Sequence, residues 1–271
     1  MAIVEDEALI LRSMRFRETS RIVIALTPCY GKVHLLAKGA REVRSRFGGS
    51  LELLTRAQIV FYLKKTRELH LMSSATVEDA YLGLLTRPRD YHLACAAVEF
   101  VDRVLADEDP HPEVYHALAA FMNRRNAEPD SGGADGGLRG LQLRVASRLG
   151  YAPHLESCTR CGRALDSPAA FGVAEGGAIC RRCEPEGEVL PLSGAVLARL
   201  RALLVDEPRE AERPDATTRP NEVETTGEPG DATTDRQIGR IVEAFLRYHM
   251  TGYQGLRSLK CFADWRQIEG A

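Results

Sequence analysis

Two cysteine pairs constrain the fold of this chain more than any other feature of its sequence. Cys158 and Cys161 are separated by two residues, and Cys180 and Cys183 repeat that spacing after 18 intervening residues. This arrangement matches the pattern C-x2-C-x15–20-C-x2-C, which is typical of zinc sites. Four thiolates favour Zn²⁺ in a closed, structural shell, although iron also binds four sulfur atoms. The sequence therefore predicts a module stapled by a metal ion.

Three alternatives to a metal site have weaker support. A disulfide framework is disfavoured because seven cysteines is an odd number. We also expect a cytoplasmic protein, for reasons given below, and thiols stay reduced in that compartment. A thioredoxin-like redox site requires one CxxC at a helix N-terminus beside a βαβ unit, and the sequence indicates neither. Four buried cysteines without metal are the remaining alternative. The other cysteines, Cys29, Cys95 and Cys261, have no partner motif, and we expect them to pack as small apolar side chains.

The residues around the two pairs are consistent with a metal site. The segment FGVAEGGAIC (171–180) is rich in glycine and predicts a short hairpin that leads to the second pair. Four arginines lie beside the cysteines, and they would offset the negative charge of a zinc centre with four thiolates: Arg160, Arg163, Arg181 and Arg182. His154 is also near, but we interpret it as a surface residue because four cysteines complete the shell.

The first part of the chain has the alternating hydrophobic pattern of short β-strands. Five segments show it: residues 8–16, 21–27, 32–40, 57–65 and 67–77. Pro28 and Gly31 mark a turn between the second and third segments. Five short strands in about eighty residues are typical of an OB-type barrel.

From about residue 80, apolar residues recur at the three- and four-residue intervals of helices. The clearest helical segments are residues 92–107, 112–127, 138–150, 192–204 and 238–250, with Gly150 as a predicted C-cap and Ser193 as a predicted N-cap. We therefore predict an α+β protein with an N-terminal five-stranded OB-type β-barrel (1–79). It is followed by an α-helical domain (80–155 and 188–271) with an inserted four-cysteine zinc module (156–187).

Residues 206–235 interrupt the predicted helical domain with a different composition. The segment holds ten acidic residues against Arg209, Arg213 and Arg219, and aliphatic residues are nearly absent. Such a segment buries too little apolar surface to offset the entropy lost on ordering. We therefore predict a disordered acidic insertion at about 206–235, to which the sequence assigns no role.

Positive charge is concentrated in residues 32–67, where nine basic residues face two acidic ones, a local charge of +7 in a chain of net charge −2. Lys and Arg clusters hold phosphate backbones, and single-stranded bases stack on aromatic rings such as those of Phe47, Phe61 and Tyr62. We predict DNA contacts by Lys38, Arg41, Arg44 and Arg46 in a mobile loop (36–49), and secondarily by Lys64 and Lys65. A solvated basic surface without a ligand is the alternative.

No targeting or membrane segment is evident. No apolar stretch approaches the roughly 18 residues of a transmembrane helix. The N-terminus carries Glu5, Asp6 and Glu7 where a signal peptide would carry basic residues. We therefore expect a cytoplasmic protein without a membrane partner.

Several segments, taken in chain order, resemble the RecO family of bacterial recombination mediators. Residues 9–53 are similar to the family's opening, through Glu18, Thr27, the Gly31-Lys32 turn, the run Lys38-Gly39-Ala40-Arg41 and the pair Ser45-Arg46. LGYAPHLESCTRCG (149–162) resembles the start of the family's zinc module, PLSGAV (191–196) its end, and LRYHMTGYQGLRSLKCF (246–262) the family's ending. The resemblance covers nearly the whole chain apart from residues 206–235.

The resemblance implies an N-terminal OB fold, a helical domain and a zinc module with four cysteine ligands. It also implies a protein without enzymatic turnover that binds single- and double-stranded DNA and anneals complementary strands. The implied partners are RecR and the single-strand DNA-binding protein (SSB). With RecR, such a protein helps to load RecA onto SSB-coated DNA, in the cytoplasm and at the nucleoid.

We therefore expect a DNA repair mediator rather than a catalyst. The sequence has no P-loop, H-E-x-x-H or G-x-S-x-G motif, and we interpret Glu99 and Asp102 as part of a solvated helix face. A zinc-stapled enzyme acting on nucleic acid and a structural adaptor are the alternatives. A carboxylate cluster for a catalytic metal would favour the enzyme, and failure to bind DNA at moderate salt would favour the adaptor.

Overall fold

The computed structural model describes residues 2–64, 68–127, 136–165, 168–183, 187–205 and 232–261. It divides into two compact units, one formed by residues 1–129 with 256–271 and the other by residues 130–255. Within the described ranges, no helix is both long and apolar enough to cross a membrane.

Five strands of the first unit close into a barrel. They are β1 (Ala2–Phe16), β2 (Ser20–Thr27), β3 (Gly31–Ala37), β4 (Arg56–Leu63) and β5 (Leu69–Asp79). The strand order is β1-β2-β3-β5-β4, and β4 pairs with β1 to close the ring. All neighbours are antiparallel except β3 and β5, which run parallel. The predicted five-stranded OB-type barrel is therefore confirmed.

Strand β1 closes the barrel because it pairs with a different neighbour along each half. Ala2–Leu9 pair with β4, and Leu9–Phe16 pair with β2. The register shifts between Ile10 and Arg12, and an irregularity of this kind bends a strand. The strand begins at Ala2, whereas the sequence pattern predicted a start at residue 8.

The interior of the barrel is filled by small, branched and aromatic side chains. They are Ala8, Ile10, Val23, Ala25, Val33, Leu35, Ala37, Phe47, Leu51, Ala57, Ile59, Phe61, Met72 and Ala75. Full burial of a large apolar side chain contributes about 1.5–3 kcal/mol to stability. Phe47 and Leu51 belong to the connection between β3 and β4, so this connection closes one end of the barrel.

The barrel is contacted by two helices of the first unit, α2 (Pro88–Val104) and α3 (Pro112–Ala127), and α1 (Leu82–Leu85) packs against both of these helices. Helix α2 contacts β1, and α3 contacts β2. Leu9, Leu11, Ile24 and Leu26, which lie outside the interior cluster, are consequently at most 5% exposed. The central part of β1 and most of β2 are therefore buried on both faces.

In the ranges that the structure describes, the second unit combines three helices with a small sheet. Its elements are α4 (Gly136–Arg148), β6 (Pro168–Gly172), β7 (Gly177–Cys180), β8 (Val189–Pro191), α5 (Gly194–Leu204) and α6 (Ala232–His249). The antiparallel pair β6–β7 is the predicted hairpin. Ser193 accepts a hydrogen bond from the amide of Val196, and Gly150 follows α4 with a φ of 89°. Both predicted caps are therefore confirmed.

The predicted acidic insertion lies largely outside the described residues. Of the segment 206–235, the structure describes residues 232–235. These four residues form the first turn of α6.

Candidate metal centre and basic surface

The four cysteines of the second unit meet in one cluster. Cys158 and Cys161 precede β6, Cys180 ends β7, and Cys183 follows it. Their Sγ atoms all lie within 4.8 Å of one another, and those of Cys161 and Cys180 are 3.8 Å apart. The two pairs that the sequence singled out therefore form one group that can hold a metal ion.

Short turns aim the sulfur atoms of each pair at one point. The amide of Gly162 donates to the carbonyl of Cys158 (2.9 Å), and the amide of Cys183 donates to that of Cys180 (3.1 Å). Gly162 has a φ of 70°, in the left-handed region that glycine adopts without strain. The amide of Cys180 also donates to Sγ of Cys158 (3.4 Å), which links the second pair to the first.

Hydrogen bonds favour thiolates at two of the four positions. Bonds from the side chain and backbone of Arg163 lower the pKa of Cys161 to about 6. Burial raises the pKa of Cys158. Hydrogen bonds from backbone amides, among which that of Cys180 has the largest effect, lower this pKa by more than burial raises it, so the net shift is downward. A hydrogen bond to Cys161 raises the pKa of Cys183 to about 12. Because metal ligation requires thiolates, a bound cation would displace the protons that remain on these sulfur atoms.

The arginines near the cluster differ in their surroundings. The Arg163 side chain contacts the Cys161 sulfur. Arg160 is instead paired with Glu175, at 3.0 Å. Arg181 and Arg182 are exposed. Of these four arginines, Arg163 therefore gives the direct charge compensation at a sulfur atom.

The remaining cysteines and His154 lie outside the cluster. His154 is exposed, as expected for a surface residue. Cys29 and Cys261 are exposed and Cys95 is half-buried. The prediction that these three cysteines pack as small apolar side chains is therefore wrong for Cys29 and Cys261.

Four predicted DNA contacts share one end of the barrel. Lys38, Arg41, Arg44 and Arg46 are exposed on the connection between β3 and β4, residues 38–55. The sequence predicted a mobile loop here, but the connection is held by successive turns, and Phe47 anchors it in the barrel interior. The basic side chains therefore project from an anchored segment.

Lys64 lies at the opposite end of the barrel. Because β3 and β5 run parallel, the connection that follows β3 and the connection that precedes β5 leave opposite ends. Lys64 is exposed at the start of the latter, and Lys65 lies outside the described residues. The structure therefore separates Lys64 from the other four predicted contacts.

The turn between β1 and β2 brings a further basic side chain to the end of the barrel that carries Lys38, Arg41, Arg44 and Arg46. The amide of Arg41 donates to the carbonyl of Thr19 (2.9 Å), and its guanidinium donates to the carbonyls of Arg17 (3.2 Å) and Glu18 (2.8 Å). Arg17 is exposed. A charge count over residues 32–67 missed it because only strand pairing brings it near. We call Arg17, Lys38, Arg41, Arg44 and Arg46 the barrel-end surface.

The aromatic residues predicted to stack on bases contribute little to this surface. Phe47 is 2% exposed and Phe61 is fully buried, and both lie in the barrel interior. Tyr62 is half-buried on β4. Stacking on DNA bases is therefore wrong for Phe47 and Phe61. Phe47 instead supports Arg46, whose guanidinium carbon lies 5.2 Å from the ring centroid.

Carboxylates neutralise part of the predicted basic region. Lys32 Nζ lies 3.2 Å from Asp107 and 3.8 Å from Asp102, and it donates to the Asp102 carbonyl (2.7 Å). Arg56 Nε lies 3.3 Å from Glu7. Asp102 is 8% exposed, so its assignment to a solvated helix face was wrong. The cations available to a ligand are consequently fewer than the sequence count suggested.

Two family models together match most of the chain. The model described as "Recombination protein O N terminal" matches residues 1–81, which include the barrel. The model described as "Recombination protein O C terminal" matches residues 86–260, which include the four cysteines.

Similar curated proteins carry one name. A "DNA repair protein RecO" of Anaeromyxobacter dehalogenans strain 2CP-C is 31% identical over 251 residues, covering 91% of each chain. The protein of that name from Anaeromyxobacter sp. strain K is 34% identical over 201 residues, 73% of this chain and 77% of the relative. The one from Rhodopirellula baltica is 29% identical over 241 residues, 88% of this chain and 86% of the relative.

Proposed function

We propose a function from the premise that this chain belongs to the RecO family of DNA repair proteins. The proposed function is non-enzymatic mediation of DNA repair and recombination. The chain binds single- and double-stranded DNA and anneals complementary strands, and with RecR it helps to load RecA onto SSB-coated DNA. It acts in the cytoplasm, at the nucleoid.

The observation that carries this proposal is the barrel-end surface. Five exposed basic residues lie at one end of an OB-type barrel, a fold whose loops bind oligonucleotides in many proteins. Exposed Lys and Arg release counterions from DNA when they contact phosphates, and this release gives affinity without sequence preference. We propose Lys38, Arg41, Arg44 and Arg46 as the primary DNA-binding group, with Lys64 and Lys65 as a second group at the opposite end.

Strand annealing is a physical consequence of such a surface. Two complementary strands repel each other because both carry dense negative charge. A basic surface that neutralises phosphates on both strands lowers this repulsion. Contacts to phosphates carry no base information, so the surface leaves base pairing to the strands themselves.

We propose Zn²⁺ as a structural cofactor held by Cys158, Cys161, Cys180 and Cys183. Zn–S bonds of about 2.3 Å in a tetrahedron separate the sulfur atoms by about 3.8 Å. The distance between Sγ of Cys161 and Sγ of Cys180 is 3.8 Å, which fits this geometry. Four thiolates complete the coordination shell and leave no position for a substrate. Metal analysis distinguishes zinc from iron in the same cage.

The enzyme alternative has less support than the mediator. A nuclease would use a group of carboxylates to hold its catalytic metal. In the part of the chain that the structure describes, the four cysteines are the one group of potential metal ligands that lie close together. The structural adaptor is the alternative that DNA binding tests.

Annealing of complementary oligonucleotides by the purified protein tests the proposal. We expect the protein to accelerate annealing of bare strands, and to accelerate annealing of SSB-coated strands as well. Addition of RecR should stimulate loading of RecA onto the coated strand. Absence of DNA binding at moderate salt would favour the adaptor, and cleavage of the oligonucleotides would favour the enzyme.

A further inference from the structure

The contacts of Arg41 and Arg17 differ in a way that separates their roles. Both hydrogens of Arg41 Nη1 have an acceptor, because this atom lies 3.2 Å from the carbonyl oxygen of Arg17 and 2.8 Å from that of Glu18. The amide of Arg41 donates to the carbonyl of Thr19. One residue of the β3–β4 connection therefore binds three consecutive carbonyls of the β1–β2 turn.

The turn that Arg41 holds has a backbone that needs support. Arg17 has a φ of 52°, in the left-handed region that residues with a side chain adopt at a cost. Such conformations persist when neighbouring contacts fix them. The Arg41 side chain fixes the carbonyls of Arg17 and Glu18, and its backbone amide fixes that of Thr19. The conformation of the turn at Arg17 and Glu18 therefore depends on this side chain.

Arg17 is placed to face a ligand. Its side chain is exposed, and its guanidinium carbon lies 5.2 Å from the centroid of the Phe16 ring. Stacking on the ring restricts the guanidinium and leaves its N–H groups at the edge, where they can donate to phosphate oxygens. Among the described residues, no carboxylate forms an ion pair with Arg17, and Lys38, Arg44 and Arg46 extend the same positive surface.

We infer that Arg41 is a positioning residue of the barrel-end surface and that Arg17, on the turn that Arg41 holds, is a phosphate contact. The inference rests on the proposed function, because it names which residues of the same surface bind the DNA backbone. It also refines the proposed function at Arg41, which was placed there in the primary DNA-binding group: Arg41 acts through Arg17 and does not itself contact a phosphate. The effects of the two arginines on DNA binding are therefore coupled.

A double-mutant cycle measures this coupling. The variants are Arg17→Ala, Arg41→Ala and the double variant, and the probe is an oligothymidylate whose affinity is measured across a salt titration. Loss of one phosphate contact lowers the slope of log K against log salt by about 0.7 for single strands. We expect a loss of about 0.7 from Arg17→Ala and a similar loss from Arg41→Ala. The double variant should lose no more than Arg17→Ala alone.

A matched cycle with Arg44 supplies the control. Arg44 is exposed on the same connection as Arg41, and two independent contacts should lose about 1.4 together in Arg17→Ala/Arg44→Ala. The inference is overturned if Arg41→Ala lowers the slope further in the Arg17→Ala background. It is also overturned if Arg17→Ala leaves the slope unchanged.

Hydrogen exchange gives a readout that does not depend on DNA. Arg41→Ala should accelerate exchange of the amide at position 41, which donates to the carbonyl of Thr19, whereas Arg17→Ala should leave this amide protected, with an unchanged circular dichroism spectrum in both cases. Unchanged exchange in Arg41→Ala would refute the positioning role even if the variant bound DNA weakly. If the unmodified protein bound no DNA, the proposed function and the phosphate role of Arg17 would both fail, and hydrogen exchange would still decide the positioning role of Arg41.

Discussion

The barrel and the cysteine module differ in the apolar core that each encloses. The barrel encloses an apolar cluster of 14 buried residues. The sheet beside the cysteines has strands of at most five residues, and its buried apolar side chains include Phe171, Val173, Ala178 and Ile179. So small a core rarely supports a fold without an additional link. The barrel should therefore fold from its own core, and the module should depend on the Zn²⁺ ion proposed for its four cysteines.

The basic side chains of the two regions also differ in their contacts. Arg163 contacts the Cys161 sulfur, and Arg160 is paired with Glu175, so these charges serve the module itself. On the barrel-end surface, Lys38, Arg44 and Arg46 are exposed on an anchored connection. Under the proposed function, we therefore expect DNA to bind the barrel-end surface and the cysteine module to have a structural role.

Loss of the metal should have the largest effect, and it should be confined to the module. In Cys158→Ser, one thiolate of the cage is absent, and we expect bound zinc to fall from about one ion per chain to nearly none. Apparent zinc-binding free energies reach about 10–16 kcal/mol in zinc-finger peptides, so the segment 156–187 should become sensitive to protease. Metal analysis and limited proteolysis check this prediction.

The exposed Cys29 provides the matched control for metal loss. Cys29→Ser should keep the metal because this residue lies outside the cluster. Full zinc occupancy in Cys158→Ser would contradict the cage. Unfolding of the barrel in the same variant would contradict the separation of the two regions.

Truncation in the barrel core should have the next largest effect, and it should leave the metal bound. Phe61 is fully buried in the interior cluster. Phe61→Ala should lower the free energy of unfolding by about 3–5 kcal/mol, the usual cost of removing a buried aromatic ring. Denaturant titration checks this, with Tyr62→Ala at the adjacent half-buried position as the control. Equal losses in the two variants would show that the cluster is not the main support of the barrel.

A smaller effect, dependent on pH, is expected at Glu99 of the first unit. Its carboxylate accepts hydrogen bonds from the amides of Arg257 (3.0 Å) and Ser258 (2.9 Å), so its assignment to a solvated face was wrong. Burial raises the pKa of Glu99, but these bonds and Arg103 lower it more, so the net shift is downward. A carboxyl with a depressed pKa stabilises the fold above its unfolded pKa of about 4.3, and this stabilisation is lost as pH falls through the folded value.

Glu99→Gln tests the pH dependence. The variant should unfold more easily than the unmodified protein at pH 7, and the difference should shrink as pH falls below the unfolded pKa of about 4.3 and through the lower pKa of the folded state. Thermal unfolding across this pH range checks it, with the exposed Glu18→Gln as the control. A difference that stays constant from pH 7 to pH 3 would show that the hydrogen bonds to Ser258 contribute nothing specific to the ionised form.

Much of the fold follows from local sequence patterns. Alternating residues located the barrel strands, and Gly150 and Ser193 marked helix ends, because each signal acts over a few neighbouring residues. The first half of β1 was missed since Glu5, Asp6 and Glu7 interrupt its apolar pattern. That half is a strand because it pairs with β4, a contact between residues far apart in sequence.

For the candidate site too, local features were predictable from the sequence and contacts between distant residues were not. The four cysteines were predictable because each pair is a local turn with a known spacing. The position of Arg17 beside the β3–β4 connection was not predictable, because β2 and β3 separate the two in the sequence. The neutralisation of Lys32 by Asp102 and Asp107 was hidden for the same reason. Charge counts along a sequence do not include partners that folding supplies.

A salt titration with two matched double variants tests the central claim most directly. Arg44→Ala/Arg46→Ala removes two exposed cations from the barrel-end surface, and Arg181→Ala/Arg182→Ala removes two exposed cations from the cysteine module. For single-stranded DNA, the barrel variant should lose about 1.4 in the slope of log K against log salt, which corresponds to two phosphate contacts. The module variant should keep the slope of the unmodified protein. A loss in the module variant with an unchanged barrel variant would contradict the assignment of DNA binding to the barrel.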